Sequence, residues 1–375
     1  TASYSKIVVD EIQSFAPAAI ASIVVFLKEI HKLGGRFMLM TATLPPFIRK
    51  EFEMLDHVEV MPYQFLEKRR HRIALHENQL HDTDSIALIR KKAVDKKTLI
   101  ICNTVGKAQL MYDLLEDMNP SLLHARFIGK DKMLKEHTIM KADGPCIWIA
   151  TQVVEASLDI DFDVLFTECA SIESLLQRFG RCYRKREYTG EEANIEIFAS
   201  FPSMIYDAEL FNNTWRVLHD YDKMLLSEQD KQSIIEQVFD NIEQTKYFER
   251  YKRMKDLLEL GFRADSKKEA QEAFRMITNN HIVIPKPVYE EHALLLQNLL
   301  RSIDNKELPV LDRMKNIAQL RSYTVSIQIF NPKTVRLRDI PDSNYCKKHR
   351  LSIIDNVQYS FEKGIELIRD YDSDD

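Results

Sequence analysis

The chain has 375 residues, enough for two or three compact domains that each bury a core, which excludes a single small domain. Its net charge of −5 excludes a globally basic nucleic-acid binder, so any nucleic-acid contact has to come from a local groove. Nine glycines amid abundant Leu, Ile, Glu and Lys favour helix-rich construction, and five cysteines without a Cys-x-x-Cys pair argue against a zinc ribbon or disulfide framework and fit a reducing cytoplasm.

The chain opens at Thr1 rather than Met and within ten residues is at the end of an apolar strand, Ile7 to Val9, that we expect to be buried; a fragment is therefore expected. Asp10 and Glu11 follow the strand, then a helix around Ala18 to His31 and a second strand, Phe37 to Met40. The longest apolar run, Ala16 to Leu27, is too short to cross a bilayer and contains Pro17 and Ser22, so no membrane segment is expected. Strand, helix, strand alternation predicts a parallel sheet covered by helices.

A basic stretch, Lys68 to Arg72, leads to further strands at Thr98 to Cys102, Leu122 to Ala125, Cys146 to Ala150, Val164 to Thr167 and Ile195 to Phe198, with helical spacing between most of them. Two α/β units follow: a partial first over residues 1–62 and a complete second over 63–200. Residues 201–375 are expected to form a helical linker, with long helices over Asp207 to Leu260, and an accessory domain with strands at His281 to Pro285 and Tyr323 to Ile329. The acidic end Asp370 to Asp375 is the one biased tract.

Several strand ends carry polar clusters, and in open α/β sheets ligands bind at the carboxyl ends of strands. Asp10-Glu11-Ile12-Gln13 offers paired carboxylates suited to phosphoryl transfer, one holding Mg²⁺ and the other orienting the attacking water; an isolated pair more often just starts a loop. Thr41-Ala42-Thr43-Leu44-Pro45 can hydrogen-bond across such a site or cap the next helix, with Pro45 just inside it. Cys102-Asn103-Thr104 ends a strand and starts a helix, where small hydroxyls bind phosphate or simply act as N-caps. Leu123-His124-Ala125-Arg126-Phe127 places a basic, aromatic segment where a nucleic-acid strand could lie, although a lone histidine there is more often structural. The run Ala150 to Asp161 sets acids and hydroxyls among apolar residues. After it, a helix is expected to carry Gln177, Arg178, Arg181 and Arg184 at spacings of three, on neighbouring positions whose like charges repel unless anions face them. Such arginines on a helix are usually a solvated basic face. In this context they suit the charge of a transferring phosphoryl group, the arginine-finger role.

The ordered set DEIQ, TATLP, ICNT, ATQVVEASLDIDFD and QRFGRCYR resembles motifs two through six of superfamily-two DEAD/DEAH-type helicases. With LLHARF between strands and SIESLLQRFGRCYR in motif six, it looks most like the CRISPR-associated helicase of type I systems, the third Cas protein. The resemblance is strong over residues 6–200 and weaker beyond. It implies RecA-like sheets, with ATP and Mg²⁺ as cofactors. Asp10 would serve the metal, Glu11 the attacking water, and Gln13, Thr41 and Thr43 would couple nucleotide state to domain closure. Ser157, Asp159, Gln177 and Arg178 would lie by the nucleotide, Arg181 and Arg184 would act as fingers, and Thr104, Arg126 and Thr151 would touch the nucleic-acid strand. It further implies 3′ to 5′ movement on single-stranded DNA opened by a Cascade-type surveillance complex, alongside an upstream RecA-like half and an HD nuclease.

No Gly-x-x-x-x-Gly-Lys-[Ser/Thr] phosphate loop occurs; Gly106-Lys107 and Gly129-Lys130 lack its other residues. The phosphate-binding lysine is expected upstream, and the isolated chain is expected to be inactive. His81-Asp82, His219-Asp220 and the spacing of His71, His76 and His81 imitate a nuclease metal site but are expected to be surface residues. Lys68 to Arg72 is expected to be a solvated linker or to line a DNA path. Another superfamily-two RNA helicase or restriction translocase, or a non-catalytic scaffold, remain alternatives.

Overall fold

The structure is a computed structural model that describes residues 4–41, 43–61, 67–155, 158–201, 207–261, 280–328, 334–341 and 343–368. Two compact units are present, Thr1–Asn103 with Val154–Asp265, and Thr104–Val153 with Ser266–Asp375.

In the first unit β1 (Lys6–Asp10) pairs in parallel with β2 (Arg36–Met40), which sets Asp10 opposite Met40. The connecting helix α1 (Pro17–Lys32) begins with proline at its first positions, where a missing N–H costs nothing, and buries Ile20, Val24, Leu27 and Ile30 along one face. Contrary to the expectation of a fully buried strand, β1 alternates: Ile7 and Val9 are half-buried and Val8 is 58% exposed. Among the described residues β2 is its one strand partner, and the alternation shows that only one of its faces is covered. After Thr43, α2 (Pro46–Glu53) starts with Pro46 inside the helix and Pro45 at its N-cap position.

The same unit contains β3 (His71–His76), β4 (Lys97–Ile101), β7 (Val164–Glu168), β8 (Ile195–Phe198) and β9 (Leu225–Leu226), labelled in whole-chain order. They lie side by side as β4-β7-β8-β3-β9 and run parallel except for β9. Leu99 to Ile101 and Leu165 to Phe166 are completely buried, as strands covered on both faces must be. Helices α3 (Thr83–Lys92), α6 (Ile172–Phe179), α7 (Ala208–Leu218), α8 (Glu228–Val238) and α9 (Lys246–Gly261) complete it, and α9 packs along α1. The helix expected to carry the arginine array stops at Phe179, so Arg181 and Arg184 lie in the loop beyond it. Gly180 and the left-handed Tyr183 (φ 48°) turn the chain there, and spacing of three along a helix does not describe those two arginines.

The second unit holds α4 (Val105–Leu114), α5 (Gly129–Lys141) and the parallel pair β5 (Ser121–Leu123) and β6 (Cys146–Ala150). Its later part is a sheet ordered β11 (Val325–Gln328), β10 (Asn280–Pro285), β13 (Leu351–Ile354), β12 (Leu337–Asp339), antiparallel except for β10 with β13. Helices α10 (Lys286–Glu291), α11 (Ala293–Asp304), α12 (Val310–Arg321) and α13 (Asn344–His349) accompany it, and its core joins Ile284, Leu296, Leu300, Leu320 and Ile353 to Ile128. A hairpin of β14 (Val357–Ser360) and β15 (Gly364–Leu367) closes the described chain. Strands β12 to β15 were not anticipated, because runs of three or four residues carry too little periodicity to read.

Candidate active site

The end of β1 delivers Asp10, exposed, and then Glu11, whose backbone is left-handed (φ 49°, ψ 51°) and whose N–H donates to Met40 O at 2.8 Å. A non-glycine residue held there is strained, and such strain persists where the surroundings fix it, often at functional sites. The fixing contacts come from Gln13 and from Thr41 of the neighbouring strand end. Gln13 is buried; its amide donates to the Glu11 carboxylate, and its oxygen accepts from the Thr41 hydroxyl at 2.7 Å. That hydroxyl also lies 3.3 Å from Glu11 and accepts from Thr43 N at 3.0 Å. Thr41 therefore bridges the ends of β1 and β2. Neither threonine caps α2, which has no side-chain cap. Thr43 Oγ1 is buried, with no hydrogen-bond partner among the described residues.

Facing these groups within the same unit, the loop after α6 supplies Arg181 and Arg184. Arg181 donates from Nε to Val154 O at 2.7 Å and from Nη2 to Glu155 O at 2.5 Å. Burial, reinforced by the charge of Arg184, lowers its pKa, while Glu155, Asp159 and Glu11 oppose the shift. Arginine stays protonated under such a shift, so Arg181 is a poorly hydrated cation that feels the Glu11 carboxylate. Arg184 pairs with Asp159 at 3.3 Å in an exposed ion pair that holds it weakly. A cavity of about 1520 Å³ is lined by Glu11, Thr41, Thr43, Gln177, Arg181 and Arg184, among others.

Arg178 departs from the expectation that it meets a nucleotide. It is completely buried, and its guanidinium donates to Glu155, Thr167 Oγ1, Glu168 O and Asn103 Oδ1. It fastens α6 to the ends of β4 and β7 and does not line the cavity. The feared repulsion among the arginines is likewise met inside the protein, by Glu155, backbone carbonyls and Asp159. Ser157 lies outside the described residues.

The expected nucleic-acid residues belong to the second unit. Thr104 is the N-cap of α4 and accepts from Lys107 N at 3.3 Å. Thr151 is buried, with its N–H on Leu123 O at 3.3 Å. Arg126 is half-buried, which lowers its pKa, and its carbonyl accepts from Ile365 N in β15. His124 is a packing residue: fully buried, stacked on Phe127, and hydrogen-bonded through Nε2 to Lys363 O at 3.0 Å. Burial pushes its pKa down to about 3, so the ring is neutral.

The imitations of a nuclease site separate. His71 is buried, His76 sits 2.6 Å from Glu196, and His219 and Asp220 are exposed; His81 and Asp82 are half-buried, so a surface placement was right only for the later pair. No group of three or more His, Cys, Asp and Glu fit to hold a metal is present among the described residues. A lone carboxylate still suits Mg²⁺, which keeps several waters and takes one or two carboxylates along with substrate phosphates; Asp10 is an exposed carboxylate at the end of β1. Sequence reasoning missed Arg70, His71 and Glu228, which also line the cavity. Arg70 to Arg72 is not a solvated linker: Arg70 reaches Arg184 O and Glu228, and Arg72 reaches Lys223 O and Gly190 O. The available signal was the alternation of His71-Arg72-Ile73, which marks the strand as starting inside the basic run.

Comparison with known proteins gives this arrangement a family. A family model described as CRISPR-associated nuclease/helicase Cas3, C-terminal, matches residues 94–187. The CRISPR-associated nuclease/helicase Cas3 of Methanothermobacter thermautotrophicus is 31% identical over 312 residues, covering 76% of this chain and 38% of its own length. The CRISPR-associated endonuclease/helicase Cas3 of Thermus thermophilus is 24% identical over 384 residues, covering 80% and 41% respectively. The chain thus spans about two fifths of the length of these relatives. A crystal structure of T. fusca Cas3 with ADP superposes with a TM-score of 0.69 at 16% identity, over 96% of this chain and 54% of that one, which gives the RecA-like fold. The ordered motifs, the fold and these relatives together place the chain in the Cas3 helicase family, where it corresponds to the C-terminal part.

Proposed function

We propose that the chain forms part of an ATP-driven motor that moves 3′ to 5′ along single-stranded DNA in type I CRISPR interference, in the cytoplasm. The observation that carries this reading is the placement of Glu11 and the arginines Arg181 and Arg184 on one cavity of one unit. Solved structures of the same fold carry names that include ADP, AMPPNP and ATP, and one is named a CRISPR RNA-guided surveillance complex, pre-nicking. These names support nucleotide and a Cascade-type complex as partners here. No helix among the described residues is long and apolar enough to cross a membrane.

In this reading Asp10 holds Mg²⁺, which neutralises phosphate charge when bound. Glu11 orients the attacking water, and its strained backbone with the Gln13 and Thr41 contacts keeps the carboxylate aimed. Thr43, whose hydroxyl is buried with no hydrogen-bond partner among the described residues, joins Gln13 and Thr41 in coupling nucleotide state to domain closure. Arg181 and Arg184 exchange backbone carbonyls and Asp159 for phosphate oxygens, a better match to a guanidinium fork. Ser157, Asp159 and Gln177 border the nucleotide, and Arg178 supports the finger loop from beneath. Thr104, Arg126 and Thr151 contact the DNA strand. The modules are a first RecA-like part to residue 62, a second to 200, and an accessory region beyond. The upstream RecA-like half supplies the phosphate loop, because residues 1–375 contain none, and an HD nuclease acts with it.

The test is DNA-stimulated ATP hydrolysis by the longer protein that includes a phosphate loop. Arg181→Ala is expected to lower turnover by about 10³- to 10⁵-fold with ATP still bound, the scale of a lost finger, and Glu11→Gln to lower it strongly as well. Residues 1–375 alone are expected to show no useful turnover. Wild-type turnover in Glu11→Gln, or vigorous hydrolysis by residues 1–375 that ignores this substitution, would sink the proposal.

A further inference from the structure

The loop that carries the fingers is held by residues from outside it. Tyr183 occupies the left-handed region, a conformation that an aromatic residue keeps only where neighbours impose it. The backbone on either side is tied in three places. Cys182 O accepts from His71 Nε2 at 2.9 Å, Arg184 N donates to Asp161 Oδ1 at 2.9 Å, and Arg184 O accepts from Arg70 Nη1 at 2.8 Å. The Arg70 tie continues further. Its second amine, Nη2, donates to Glu228 Oε1 at 2.9 Å, and Glu228 also holds Lys231 at 2.6 Å. Glu228 is the first residue of α8, whose start is fixed by a capping box between Ser227 and Asp230.

We propose that Arg70 is a positioning residue for the finger loop: its guanidinium spans from the carbonyl of Arg184 to Glu228 and so ties the loop to the first turn of α8. This rests on the ATP-hydrolysis reading of the cavity, and it adds the element to which the fingers are anchored. The fork geometry matters. One planar guanidinium makes both bonds at once, whereas a lysine ammonium is a point charge on a flexible stem. The side chains of Arg70 and Glu228 are 15% and 22% exposed, so water competes poorly for the bridge. His71 beside it is neutral, because burial and the charges of Lys231 and Arg70 push its pKa well below the usual value. With Nε2 carrying the proton, His71 donates to Cys182 O and secures the loop from the same strand. A shift of the start of α8 would therefore reach Arg184 through the Arg70–Glu228 bridge.

The experiment uses the longer protein with its phosphate loop and compares Arg70→Ala, Arg70→Lys, Glu228→Gln, the Arg70→Ala/Glu228→Gln double variant and Arg181→Ala. Arg70→Ala is expected to lower kcat for DNA-stimulated ATP hydrolysis about tenfold to a hundredfold, as a displaced catalytic group does, and to change the KM for ATP less than about threefold. Glu228→Gln, which preserves shape, is expected to lower kcat by a smaller factor, and Arg70→Lys to recover only part of the loss. The double variant is expected to be no worse than Arg70→Ala, the non-additivity of two residues in one bridge. Wild-type kcat in Arg70→Ala and Glu228→Gln while Arg181→Ala is inactive overturns the positioning role and leaves the finger reading standing. Wild-type turnover in Arg181→Ala overturns both. If Arg70→Ala does not fold, Glu228→Gln decides: unchanged kcat per folded molecule overturns the bridge.

Discussion

Arg178 shows how one residue type takes different roles a few positions apart. Read from sequence it is one of four similar polar residues, but it alone is wholly buried, with Glu155 as its charged partner and three further acceptors around the guanidinium. Such a residue contributes mainly through what its removal leaves behind. Arg178→Ala would strand Glu155, itself 9% exposed, without its counter-charge. A loss of about 3–5 kcal/mol in unfolding free energy is expected, measurable as a lowered urea midpoint. Arg181→Ala removes side-chain bonds to carbonyls at the edge of the cavity, and its effect is expected to fall on turnover instead. Equal stability losses for the two substitutions would contradict this division.

At the scale of elements, α2 is clamped where it follows the threonine motif. Phe47 is 7% exposed and meets the rings of Phe239, Tyr247, Phe248 and Tyr251 at centroid distances of 5.1–6.1 Å. One turn later Glu51 binds Lys28 of α1 and Lys255 and Tyr251 of α9. Those partners keep its pKa below the usual carboxylate value although burial pushes the other way. Helix α9, with Phe239 just ahead of it, is thus packed onto α1 and α2. Phe47→Ala would empty the aromatic cluster and is expected to cost about 3–5 kcal/mol. Calorimetry or urea titration would register it, and a loss under 1 kcal/mol would show that the cluster collapses onto the gap.

For the whole molecule, buried neutral histidines contribute to the response to acid. His124, in the second unit, has its pKa lowered from 6.5 to about 3, principally by burial. His71, in the first, is displaced in the same direction for the same reason. A histidine whose folded pKa is depressed leaves stability unaffected above the unfolded pKa. As pH falls below 6.5 the unfolded chain takes up a proton that the folded chain refuses, and stability declines until the folded pKa is reached. For His124 the decline amounts to about 2 kcal/mol between pH 6.5 and pH 5. His124→Asn is expected to flatten this part of the stability curve, measured by urea unfolding across that range. An unchanged slope would mean that His124 titrates alike in both states.

Most strands and helices through residue 200 were legible in the chain itself, because long apolar β-branched runs and 3.6-residue periodicity are local signals; the exception among the strands is β3, hidden in a basic run. Cys146–Ala150 and Ile195–Phe198 fall where they were read. The sequence by itself also determined the motif set and the family, since those depend on the order of residues along the chain. Tertiary structure alone decided which arginine is buried and which lines the cavity, that the helix ends at Phe179, and that Arg70 in a basic run bridges Arg184 to α8. The bridge joins residues 114 and 158 positions apart. The physical reason is that a charged side chain takes its role from the acceptors that folding brings to it, and those come from distant segments that no local pattern encodes.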